Sequence, residues 1–99
     1  MSQLPPDAIE TIARRSLLAA FGDGVIAHSP LTTAVYTVPD DDVERMLVTV
    51  HVPVLTSTLP REQRFAANSA FVRETTTAGD KRFFGMEFRT RSEPDLAAA

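Results

Sequence analysis

Few residues in this chain are of a kind that could do chemistry, and their spacing suits no reaction. Asp40, Asp41 and Asp42 are three consecutive carboxylates that could draw a cation. Calcium loops, however, take ligands from alternate positions and add a turn glycine and a distal glutamate. The run has neither, so it reads as a solvated loop. His28 and His51 are the only histidines, and cysteine is absent. Two imidazoles with no third histidine and no thiolate make a poor zinc site. Ser29 directly follows His28, and adjacency in sequence does not set an imidazole on a hydroxyl. Gly22-Asp23-Gly24 lacks the third glycine and the preceding strand of a phosphate-binding turn. No set of residues meets the geometric requirements of a catalytic centre. The expectation is no enzyme, no cofactor and no metal.

A different chemistry, stacking on nucleic-acid bases, is suggested by Phe83, Phe84 and Phe88 beside Lys81, Arg82 and Arg89. Alternation decides against it. Phe84, Met86, Phe88 and Thr90 fall on one side of a strand, and Phe83, Gly85, Glu87 and Arg89 on the other. With the first set inward, Phe83 alone is displayed, and one ring is no platform. The net charge of -3 also argues against a nonspecific nucleic-acid binder, which needs a basic surface. Charge is unevenly spread. Up to Glu44 there are seven acids against two arginines, and from Arg45 onward eight basic residues against six acids. Scattered solvated charges account for this, and so does a head-to-tail contact between copies.

The elements that would carry these residues fit one domain of 99 residues, of which 43% are hydrophobic and 23% charged. Pro5-Pro6-Asp7 opens a helix over residues 7–21. Ile9, Ile12, Ala13, Leu17, Ala20 and Phe21 form its apolar stripe, and Gly22 ends it as a left-handed cap. Residues 24–28 are a short strand candidate closed by Ser29-Pro30, and residues 32–38 are a second. After the aspartate loop, Met46, Val48, Val50, Val52 and Val54 share one side of a strand that Pro53 ends, places at an edge or marks with a bulge. Residues 61–64 fit either one helical turn or the start of a strand. Residues 65–90 read as a closing meander, with a tight turn at Asn68-Ser69 and a Gly79-Asp80 turn. The fold class expected is mainly β with one N-terminal helix (α+β), a small antiparallel barrel or sandwich over residues 24–91, and a tail over 92–99. No apolar run approaches the roughly 20 residues that span a bilayer, and no signal pattern opens the chain, so a cytoplasmic location is expected.

Three stretches carry a family resemblance: Leu17-Leu18-Ala19-Ala20-Phe21-Gly22-Asp23-Gly24-Val25, then Val52-Pro53-Val54-Leu55 leading to Leu59-Pro60, then residues 65–74 with Phe71-Val72-Arg73 after the Asn68-Ser69 turn. In this order they resemble the small phage head–tail joining proteins, also called head-completion or stopper proteins, over nearly the whole chain. The resemblance implies a structural role. It implies a homo-oligomeric ring in the neck of the virion, assembled in the host cytoplasm. The ring would touch portal, adaptor and tail proteins, with DNA passing through its channel unread. Ring closure needs a heterologous interface. The subunit contact expected sets Asp40, Asp41 and Asp42 of one copy against Arg61 and Arg64 of the next, orienting more than holding. Alternatively, the last strand resembles that of PilZ-type β-barrel modules, which bind a cyclic dinucleotide. That family's motifs, Arg-x-x-x-Arg and Asp-x-Ser-x-x-Gly, are both absent.

Overall fold

A computed structural model of the chain describes residues 3–37, 44–80 and 82–91. Helix α1 (Pro6–Phe21) is followed by strands β1 (Leu31–Thr37) and β2 (Glu44–Val52), a 3-10 turn (Thr56–Thr58), helix α2 (Arg61–Thr77) and strand β3 (Phe83–Thr90). The strands form one sheet in the order β1-β2-β3. β1 and β2 pair as an antiparallel hairpin, and β2 and β3 pair in parallel across the α2 crossover. The class is α+β. The closed barrel or sandwich expected from sequence is not what the chain builds: three strands form an open sheet, because residues 65–74 are helical and residues 24–28 are a turn.

Both helices cover the same side of the sheet. α1 contributes Ile9, Ile12, Ala13 and Leu17 to the core, and α2 contributes Ala67 and Phe71. They meet Met46, Val48, Val50 and Val52 of β2 and Phe84 and Met86 of β3. Alternation placed all six strand residues inward, and they are. Phe71 packs edge-on against Phe84 with centroids 5.7 Å apart, and Phe21 against Phe88 at 5.6 Å. Gly22 has φ 78°, and its N–H bonds the Leu18 carbonyl, closing α1 where the sequence ends it. Residues 24–28, expected as a strand, instead turn so that Ile26 and Ala27 are buried. The Ser29 hydroxyl donates to the Val25 carbonyl at 2.7 Å, and Arg14 donates to the carbonyls of Ala27 and Ser29.

The second helix is the main departure from the sequence reading. Its buried residues Ala67, Phe71 and Thr75 stand four apart, a stripe drowned out by alanines and polar residues on every other side. Thr75, within the stretch expected as a meander, donates its hydroxyl to the Phe71 and Val72 carbonyls at 2.9 Å. Asn68, expected in a tight turn, lies mid-helix with its side chain engaged elsewhere.

An ion pair ties the two ends of the fold together. The Asp80 carboxylate accepts from the Arg82 guanidinium at 2.7 Å and from the backbone N–H groups of Arg82 and Leu4 at 3.0 and 2.9 Å. Arg82 in turn donates to the Leu4 carbonyl at 3.3 Å and lies over the Phe84 ring. The start of α1 is thereby fixed to the turn between α2 and β3, where Gly79 takes φ 93°. The bonds from Arg82, opposed by burial, lower the Asp80 pKa from 3.8 to about 2.

Two measurements follow from this packing. In urea, Phe71→Ala should cost about 3–5 kcal/mol. Phe83→Ala, on the uncovered side of the sheet, should stay within about 0.5 kcal/mol, and equal losses would show the sheet to be covered on both sides. For Asp80 the unfolded chain holds the proton more tightly. Its contribution of about 2 kcal/mol is therefore complete above pH about 4 and is lost as pH falls towards about 2. Between pH 7 and pH 2.5 the native chain should lose more stability than Asp80→Asn, and parallel curves would remove the assignment.

Candidate interaction surface

The surface left for function is set by what the helices do not cover. β1 lies beyond their reach: Leu31 is half-buried, and residues 32–37 are exposed on both sides of the strand. Val35 is 51% exposed and Tyr36 48%. The backbone shows which of its groups are committed. The His51 N–H bonds the Pro30 carbonyl at 2.9 Å, and the pairing sets Thr32 opposite Thr49, Ala34 opposite Leu47 and Tyr36 opposite Arg45. In an antiparallel ladder every second residue turns its N–H and C=O to the partner strand. Thr32, Ala34 and Tyr36 therefore bond β2, while Leu31, Thr33, Val35 and Thr37 turn theirs outward. Among the described residues nothing pairs with this outer edge.

The opposite edge is treated differently. The His51–Arg89 and Val52–Thr90 pairing, with the Arg91 N–H on the Val52 carbonyl at 3.0 Å, turns the odd residues of β3 towards β2 and the even ones outward. Met86 is one of these, and its N–H bonds the Asn68 side-chain oxygen at 2.8 Å. The Thr90 hydroxyl accepts the Thr56 N–H at 3.0 Å. α2 thus bridges the outer edge of β3 at its middle. A strand added there would have to displace Asn68.

The side of the sheet away from the helices carries rows of side chains read from the pairing. Tyr36, Arg45 and Phe83 make one row, with the Arg45 guanidinium 5.0 Å from the Phe83 centroid. Ala34, Leu47 and Gly85 make the next, an apolar floor. Beyond them Thr49 donates to Glu87 at 2.9 Å, Arg89 pairs with the same carboxylate at 2.9 Å, and Thr32 and His51 share a bond of 2.7 Å. Phe83 is 55% exposed. Sequence alternation displayed Phe83 alone, and the hairpin brings Tyr36 to the same row.

The residues singled out in the sequence are not brought together. His28 pairs with Asp23 at 2.8 Å on the surface, far along the chain from His51, and the hydroxyl of Ser29 bonds Val25 rather than His28. Asp40, Asp41 and Asp42 lie outside the described residues. Arg61 and Arg64, in a stretch that fitted either one helical turn or the start of a strand, sit in the first turn of α2, with Arg61 exposed and Arg64 half-buried. β2 starts at Glu44, and α2 begins beyond its other end. A groove of about 560 Å³ runs along the outer side of α1, lined by Asp7, Glu10, Arg14, Arg15, Leu18 and His28 among others. Arg14 there already serves the Ala27 and Ser29 carbonyls and Glu10.

Asn68 gives a direct check on the difference between the edges. Asn68→Ala leaves the Met86 N–H without its partner and should cost about 1–3 kcal/mol, with faster amide exchange at Met86. An unchanged exchange rate at that amide would show the edge to be open. In comparison with known proteins, no family model, no curated protein and no solved structure matches the chain.

Proposed function

We propose that the chain is a structural subunit that acts by contact with other subunits and not by catalysis. The observation that carries this is the outer edge of β1. It is a seven-residue strand with its outward N–H and C=O groups unpaired among the described residues. Proteins that work alone guard such an edge with lysine, proline, a bulge or a covering element. Leu31-Thr32-Thr33-Ala34-Val35-Tyr36-Thr37 contains neither lysine nor proline, and it pairs with β2 residue for residue. An unguarded edge of this kind suits a contact that adds a strand.

As the setting of that contact we propose the neck of a phage particle, where the chain joins the DNA-filled head to the tail. Its support is the resemblance of residues 17–25, which here run through the close of α1 at Phe21 and Gly22. Residues 65–74 lend it none, since they form helix where the family outline has a strand and a tight turn. A head-to-tail ring built by extending the sheet would need two different free edges. With Asn68 across β3, the chain offers one, so ring closure would fall to other surfaces, such as the row of Tyr36, Arg45 and Phe83.

Light scattering of the purified chain from about 1 μM to about 1 mM, the range of weak to moderate association, tests the proposal. The mass should rise to a multiple of one chain. A monomer throughout that range overturns the reading of a self-assembling subunit. For the setting, particles assembled without the chain should stop as filled heads and separate tails, and joined particles would overturn the neck.

A further inference from the structure

We infer that two copies of this chain join through β1, antiparallel about a two-fold axis at Ala34, into one continuous sheet running β3-β2-β1-β1-β2-β3. The inference rests on the assembly reading and adds the partner, the contact and its register.

The outward residues of β1 are Leu31, Thr33, Val35 and Thr37, and an antiparallel copy presents the same set. With the axis at Ala34, Leu31 faces Thr37 of the other copy and Thr33 faces Val35. Every outward donor then meets an outward acceptor. A shift of the axis to Thr33 strands Thr37 beyond the partner strand, and a shift to Val35 strands Leu31. The seven-residue strand thus has a single two-fold register that satisfies all its outward groups, and an isologous contact requires such self-complementarity.

The side chains agree with this register. No residue of β1 is charged, so two copies approach without like charges opposite each other. Ala34 meets itself at the axis in a non-hydrogen-bonded position, where side chains come closest and a small one fits. Next to it Tyr36 lies against Thr32 of the other copy. On the helix side Val35, half-exposed in the single chain, packs against Thr33 of the other copy. Among the described residues nothing stands in the way, since residues 32–37 are exposed on both sides of the strand. The second edge cannot compete, because Asn68 occupies the Met86 N–H.

The geometry separates two proline substitutions. Val35 turns its N–H outward, so Val35→Pro removes a bond to the other copy and leaves the β1–β2 ladder intact. Ala34 turns its N–H to β2, so Ala34→Pro breaks the hairpin itself. Sedimentation of Val35→Pro should show a folded chain whose dimer dissociation constant has risen at least tenfold, with a circular dichroism spectrum like that of the parent. Because the chain lacks cysteine, Ala34→Cys is a clean second reporter: mild oxidation should give a covalent dimer, while Thr76→Cys, exposed on α2, should not. An oligomer that survives Val35→Pro unchanged and is not cross-linked through residue 34 overturns the β1 contact and leaves the assembly reading standing. Cross-linking through Thr33→Cys or Val35→Cys in preference to Ala34→Cys overturns the register. A parent chain that is monomeric at every concentration overturns both proposals.

Discussion

Everything in this fold depends on burying one side of β2. Among the described residues it is the only strand with a neighbour on each side, and its inward residues, Met46, Val48, Val50 and Val52, are all nearly inaccessible. A sheet of three strands cannot close on itself, so that side has to be sealed by helices. An amphipathic helix of about four turns is marginal alone, and α1 gains its stability from the same contact. The two needs meet in one core. The two helices are placed over β2 and β3. β1 is left over, paired along one edge and covered on neither side.

The strands and α1 were legible because they obey simple periods. Alternation from Met46 to Val52 and from Phe83 to Thr90 gave the correct inward sets, Pro53 marked the end of β2, and Gly22 marked the end of α1. α2 was not legible, for a physical reason. Its buried stripe is made of an alanine, a phenylalanine and a threonine, and its remaining residues mix alanine with polar types, so no face stands out. Asn68-Ser69 has the composition of a turn, yet Asn68 lies mid-helix with its side-chain oxygen on the Met86 N–H. Alanines 66, 67 and 70, with Arg61, Glu62, Gln63 and Arg64 before them, were the available signal, since all are strong helix formers. Losing α2 to a strand reading is what turned an open sheet into an expected barrel.

The candidate surface was less legible still. Its informative groups are backbone N–H and C=O, which carry no sequence signature, and which edge is free depends on the strand order. Only once β2 is central and β3 is bridged by α2 does β1 stand out. Of the charged residues conspicuous in the sequence, Arg61 and Arg64 fall in the first turn of α2.

The parallel pairing of β2 with β3 also orders events in time. The β1–β2 hairpin is local and can form within microseconds, whereas β3 can join only after α2 has carried the chain back along the sheet, closing a far longer loop. During that interval the hairpin exposes two bare edges and an unsealed apolar side. Refolding is therefore a race between α2 docking within one chain and hairpins meeting between chains. Dilution favours the first, and crowding of nascent chains favours the second. Under the proposed β1 contact, that hazard would be the kinetic counterpart of association.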